Sequence, residues 1–386
     1  MTGRWTARGY ATCVLGALLM GLGLWWRYPG LAALGVAFLG LAVTALVAML
    51  VPVPVTVHRS TTPEEVARLD TCTGTLSMTN RSARFPLALD ATESVGAERM
   101  PVLVPTLRPG GSTEVTYPVP TLRHGTLVVG PLRLRRVGLA GLAEGTSLVP
   151  GTSEIRVLPR VLPVRGLPPG ARRGHMGAEE RVAHGGTDLM ALREYLPGDD
   201  VRRLHWATSA RHGSLMVRED ADPARAALTV LVDDRAASYP GELDLEEAVD
   251  VAASLVGMTV VHRHPCWLRT VSGRVLASAP GTVHSGVDAE AVELRDAVAR
   301  IAAVDVDRQP DPVPPHALDV VVAVTGAGAD LAPFVLAVSR TEVGVVLVVD
   351  TDPDRTAGTA GPGLVLRAPR AEELLYAWDL LVVGAG

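Results

Sequence analysis

The chain has 386 residues, and its 36 basic and 41 acidic side chains leave a formal net charge of −5. That balance argues against bulk nucleic-acid binding. Every basic residue in the count is arginine, which excludes a lysine Schiff base and a P-loop lysine. Mean hydropathy is +0.25 with 48% hydrophobic residues, greasy for a soluble protein of two or three domains, so an embedded segment is expected. Cys13, Cys72 and Cys266 lie far apart with no CxxC, which points to neither a zinc finger nor a disulfide framework.

Residues 10–26 and 31–55 are uncharged and apolar, each near the length that crosses a bilayer core, with the break "RYPG" between them. A cleaved signal peptide is the rival for the first stretch, but the second would still anchor the chain. The expectation is a transmembrane helical hairpin over 1–58. Arg4 and Arg8 precede it, His58, Arg59 and Arg68 follow it, and the turn offers only Arg27. By the positive-inside rule both termini and the soluble domains are expected on the cytoplasmic side of the cell membrane.

Over 59–163 short alternating runs such as "CTGTLSMTN" and "SEIRVLP" are punctuated by Gly, Pro, Asn and Ser. They predict antiparallel strands in a β-sandwich, with Pro105, Pro118 and Pro120 at edges or turns. Neither a nucleophile–base set nor a metal spacing stands out there.

Residues 164–222 read as a linking segment. "TDLMALREYL" predicts a short helix capped by Thr187 or Asp188 and ended by Pro197-Gly198. Asp199 and Asp200 are neighbours on a turn, so they do not form the opposed pair of acid–base hydrolysis. His205 and Ser209 sit four apart without a G-x-S-x-G elbow, which leaves a hydrolase as a minor alternative. Arg193, Arg202, Arg203, Arg211 and Arg218 alternate with Glu194, Asp199, Asp200, Glu219 and Asp220. Together with Tyr195 and Trp206 they make either a salt-bridged lock or an exposed docking face, and the acids neutralise any nucleic-acid groove.

Residues 223–386 alternate buried-strand runs ("AALTVLVDD", "ALDVVVAVTG", "VGVVLVVD") with apolar-periodic helices, as a doubly wound α/β domain does.

The run "LREYLPGDDVRRLHWATSARHGSLMVRE" resembles the signature of the domain-of-unknown-function 58 family, through Arg193-Glu194-Tyr195, Pro197-Gly198-Asp199, Arg202/Arg203, Trp206, Ala210-Arg211, Gly213, Leu215 and Arg218-Glu219. His205 stands where Asp is frequent, and only Gly138 and Leu139 of an upstream turn match. The resemblance implies a multi-domain protein: a membrane hairpin, a β domain and a von Willebrand factor type A-like α/β domain. It also implies a MoxR-type AAA+ ATPase as partner. Such α/β domains often bind a divalent ion through D-x-S-x-S. Here Asp233 is followed by Arg235 and Ala237 where the serines belong, and Thr325-Gly326 ends a later strand without the usual aspartate. A hard cation needs several oxygens, so Asp233 is at most a weak metal candidate and no cofactor is expected. The function expected on these grounds is a non-enzymatic adaptor or scaffold, with a metal-dependent adhesion module as the alternative.

Overall fold

A computed structural model describes residues 2–50, 54–168, 189–195, 204–220, 226–279, 287–311, 319–352, 358–360 and 363–384. The chain divides into two compact units, Met1–Leu158 and Pro159–Gly386.

The first unit begins with a short strand, β1 (Thr2–Trp5), which the sequence reading did not anticipate. Two helices follow, α1 (Ala7–Trp25) and α2 (Pro29–Leu50), both long and apolar enough to cross a membrane. Thr6 caps α1, its hydroxyl accepting from the Gly9 amide at 3.2 Å. Pro29, read from sequence as part of the break, instead starts α2, where its fixed φ suits a first helical position and its missing N–H costs nothing. The helices meet through small residues: a Cβ on Gly23 would lie 2.3 Å from the Ala32 nitrogen, and one on Gly35 2.4 Å from that of Met20.

The strands that follow are β2 (Val55–Thr62), β3 (Glu65–Ala67), β4 (Cys72–Asn80), β5 (Asp90–Val95), β6 (Glu98–Val102), β7 (Ser112–Val119), β8 (Gly125–Val137), β9 (Ala143–Val149) and β10 (Ser153–Leu158). They form a three-stranded sheet, β2-β4-β7, and a larger one running β1-β9-β8-β10-β3, with β5 and β6 joined to it through β8. In β4 every second side chain is buried, the one-faced alternation of a sheet laid on a core. Leu76 and Met78 from one sheet share that core with Val129, Leu132 and Ile155 from the other. Pro118 lies in β7, an edge strand, where a missing donor is tolerated.

The hairpin is tied into this unit at both ends. β1 pairs antiparallel with β9, Thr2 opposite Thr146 and Trp5 opposite Ala143. Trp5 and Leu46 pack on Ala45, Met49, Leu142 and Ala143. Arg136 donates from Nη2 to the Ala48 carbonyl at 2.5 Å, capping the end of α2 with a cation.

The second unit opens with an extended strap, 159–168. Arg160 reaches Asp250 at 2.6 Å, Glu372 at 2.5 Å and Glu247 at 3.3 Å, and the Trp378 indole donates to the Gly166 carbonyl at 3.0 Å. Next come β11 (Leu189–Glu194), α3 (Trp206–His212) and β12 (Met216–Asp220). The short helix expected over 187–196 is therefore a strand where it is described. Leu192 pairs with Arg218 and Glu194 with Met216, and this ladder overrides the weak helical preference of Leu, Met and Ala.

The rest is a seven-stranded sheet of β13 (Leu228–Val232), β14 (Cys266–Thr270), β15 (Leu276–Ala279), β16 (Val320–Gly326), β17 (Val343–Val349), β18 (Gly358–Ala360) and β19 (Gly363–Ala368). The order is β15-β14-β13-β16-β17-β19-β18, parallel except for the two edge strands. Every residue of β13 and β16 is buried, as strands covered on both faces require. α4 (Asp244–His262), α5 (Val287–Ala299) and α7 (Ala371–Gly384) pack into the larger core on one face; α6 (Ala332–Val338) covers the other with Phe334 and Val338.

Candidate functional site

The signature residues are placed unevenly. Arg193 and Glu194 lie on β11 with their backbones paired to Val217 and Met216, and Arg218 and Glu219 lie on β12. Tyr195 is half-buried, its amide donating to the Leu215 carbonyl at 2.7 Å. Trp206 opens α3 with 67% of its surface exposed, and Arg211 is exposed on the same helix. Pro197, Gly198, Asp199, Asp200, Arg202 and Arg203 lie outside the described residues, as do Thr187 and Asp188. His205 and Ser209 both serve the local turn. The His205 ring accepts from the Thr208 amide, while the Ser209 hydroxyl donates to the His205 carbonyl at 3.1 Å and accepts from the Met216 amide at 2.8 Å.

The denser constellation is at the carboxyl end of the parallel sheet. From β13 the chain runs to β14 on one side, and β16 flanks β13 on the other, so the strand order reverses at β13. Open α/β sheets hold their ligands at such a reversal. Asp233, the first residue past β13, is fully buried. Its carboxylate accepts from Arg235 Nε and Nη2, both at 2.8 Å, from the Ser238 hydroxyl at 2.6 Å and from the Thr325 hydroxyl at 2.7 Å. The Arg235 amide adds a fifth donor at 3.1 Å, and the Tyr239 hydroxyl donates to the Asp233 carbonyl at 2.5 Å. These bonds hold the Arg235 guanidinium above its ordinary range, while burial and then the Asp233 charge push the Tyr239 phenol well up.

Asp234 turns the other way, accepting from the Ser272 amide at 2.9 Å and from its hydroxyl. Arg308 donates to the Ser272 carbonyl at 3.0 Å and pairs with Asp311 at 2.6 Å. Arg235 also reaches the Arg308 carbonyl, and its guanidinium lies 5.6 Å from the Phe334 ring centroid. Asp350, at the end of β17, pairs with Arg367 at 2.7 Å. The glycine turn after β16 follows from the same crowding, since a Cβ on Gly326 would sit 2.2 Å from the Ser238 carbonyl oxygen.

This arrangement does not fit a divalent ion. Asp233, Ser238 and Thr325 do converge, but both Asp233 oxygens already accept from the guanidinium, which stands where a cation would neutralise them. Among the described residues, no group of three His, Cys, Asp or Glu side chains could hold a metal. Sequence reasoning reached Asp233, Arg235 and Thr325. It missed Ser272, Arg308, Asp350 and Arg367, although the aspartate closing "VGVVLVVD" repeats the position of Asp233 after its own strand.

Residues 191–262 match the family model described as protein of unknown function DUF58. No curated protein matches the chain. Among solved structures it is similar to the CARDB domain of a Pyrococcus furiosus protein in complex with di-metal ions, at 12% identity over 27% of this chain and 91% of that one, TM-score 0.19. It is also similar to the Pseudomonas fluorescens alkylpurine DNA glycosylase AlkC bound to DNA, at 16% identity over 37% of this chain and 42% of that one, TM-score 0.21. A third is Spo0M, a Bacillus subtilis sporulation control protein, at 13% identity over 27% of this chain and 49% of that one, TM-score 0.19. The chain thus spans less than half of the last two, and likenesses this slight carry no argument here.

Proposed function

We propose that this chain, a member of the DUF58 family by its match over residues 191–262, is a non-enzymatic scaffold anchored in the membrane by its helical hairpin. In this reading the β-rich unit is a sandwich, the α/β unit is von Willebrand factor type A-like, and both face the cytoplasm. Arg4 and Arg8 before the hairpin and Arg59 and Arg68 after it, against Arg27 alone in its turn, support that orientation. The observation that carries the non-enzymatic reading is the crest, the carboxyl end of the parallel sheet. Where such a sheet would hold a reacting ligand, Asp233 and Asp234 are spent on the chain's own donors. The Ser209 and His205 pair is likewise committed to a turn.

The family resemblance supplies the partner, a MoxR-type AAA+ ATPase whose work on other proteins the scaffold would assist. Affinity capture of the full chain from its native membrane tests this. An AAA+ ATPase should co-purify, and charge reversal at Asp199 and Asp200 should abolish it with the melting temperature unchanged. Loss of both together makes the segment a structural lock, and loss of neither moves the partner surface elsewhere.

A further inference from the structure

We propose that the cavity where the apolar hairpin meets the β-rich sheet seats the phosphate headgroup of an anionic phospholipid. The inference rests on reading the hairpin as membrane-spanning. The cavity holds about 440 Å³ and its walls include Arg4, Trp5, Tyr10, Arg135 and Glu144. That volume suits a small polar group with part of its stem.

Its level follows from the chain. Arg4 and Trp5 end β1, Thr6 caps α1, and Tyr10 lies in the first turn of that helix, so one wall runs directly into the apolar segment. The 19 residues of α1 span roughly 28 Å, close to the thickness of a hydrocarbon core. A headgroup beside this helix therefore stands level with the cavity. Trp5 and Tyr10 meet edge to face at 5.5 Å, and Tyr10 is 57% exposed, an aromatic pair of the kind that settles at the headgroup boundary.

The charges are set for an anion. Glu144 is nine-tenths buried and holds two guanidinium groups, Arg4 through Nε at 2.5 Å and Arg135 through Nε at 2.9 Å and Nη2 at 2.5 Å. Those bonds hold Glu144 below the usual carboxylate range and fix both planes. Both Nη groups of Arg4 make no hydrogen bond among the described residues, and its side chain is 78% exposed. Asp90 stands 3.6 Å from Arg135, so the two arginines and two carboxylates balance, and the net positive charge comes from Arg8, beside Gly141, while Arg4 keeps its open Nη donors. A phosphate presents the planar, doubly accepting edge that an oriented guanidinium matches. Free phosphate offers the same edge but gains nothing from the aromatic wall, which a lipid's glycerol and upper chains would cover.

The test uses the purified full chain in mixed micelles, with phosphatidylglycerol and phosphatidylcholine at equal amounts and retained lipid read by native mass spectrometry. Phosphatidylglycerol should be retained several-fold over phosphatidylcholine, and excess inorganic phosphate should not displace it. Arg4→Gln should cut the preference about fivefold. It is expected to fold, because β1 is held through its backbone and the Arg4 side chain is exposed, and an unchanged melting temperature checks this. Equal retention of the two lipids, or a preference that survives Arg4→Gln combined with Arg135→Gln, overturns the proposal. Displacement by phosphate alone reassigns the cavity to a soluble anion and also overturns it. A carbonate wash of native membranes separates the two levels. Release of the chain sinks the membrane-spanning reading, while retention without lipid preference sinks only the headgroup seat.

Discussion

Glu93 and Asp233 are both fully buried carboxylates that meet an arginine, and they are served differently. Glu93, in the β-rich unit, receives Arg59 through Nη2 at 2.9 Å and Nε at 3.4 Å, a pair that joins β2 of one sheet to β5 of the other. Asp233, in the α/β unit, receives a guanidinium fork, two hydroxyls and an amide. Burial pushes the Glu93 carboxyl above its usual range, and the Arg59 charge draws back only part of that. At Glu93 one guanidinium does not repay the desolvation of the carboxylate. Tyr117 stands beside the Glu93 pair, but its buried hydroxyl lies outside hydrogen-bonding geometry with any described residue.

The comparison breaks most visibly at Arg235. Arg235→Ala leaves Asp233 buried without its cation and should cost about 3–5 kcal/mol in denaturant unfolding of the full chain. A cost under about 1 kcal/mol would remove the crest lock. Magnesium or manganese titrated into the wild-type chain should give no heat in calorimetry. Heat that vanishes on substituting Asp233 would favour the metal-dependent adhesion alternative.

Arg59→Ala should cost less, about 2 kcal/mol, because Glu93 can answer by taking up a proton. The pH dependence fixes the sign. A folded value above the ordinary 4.5 means that the Glu93 contribution is complete below 4.5 and is lost as pH rises through the raised value. Glu93→Gln should therefore gain on the wild type between acid and neutral pH, as unfolding at the two conditions would read. Parallel pH curves would place the burial penalty elsewhere.

Thr325→Val removes one of the five Asp233 donors at nearly constant shape and should cost about 1 kcal/mol. Tyr117→Phe should stay within about 0.5 kcal/mol at neutral pH. Burial, then the Glu93 charge, pushes the Tyr117 phenol from 10.0 up to about 12. Its contribution is thus whole below pH 10 and fades from there to about pH 12, a loss the phenylalanine variant should not show.

Much of the architecture was legible because hydrophobic period reports burial directly. The one-faced alternation of β4 and the unbroken runs of β13, β16 and β17 came through within three residues of the observed strands. The strand at 189–194 did not, because its stabilising partner, 216–220, lies beyond an intervening helix and local propensity carries no trace of it. β1 was illegible for the same reason at greater range. "TGRW" shows no strand pattern, and its mate is more than 130 residues away. The crest was half legible. The departures at Arg235 and Ala237 argued against a metal in the sequence itself, but the use of Arg235 as the internal counter-charge needed its side-chain direction.

The pairing of β1 with β9 also sets an order of events during translation. Thr2–Trp5 leave the ribosome well before their mates Ala143–Thr146, which follow only after both apolar helices and most of the first unit. At a bacterial-to-eukaryotic pace of about 5–20 residues per second, the interval is on the order of 10 seconds. Throughout it the leading strand waits as an unpaired edge while the hairpin behind it must find its own place. The nascent chain closes this sheet by returning to β1, so a ribosome stalled before residue 143 would leave two finished helices and an unfinished sheet.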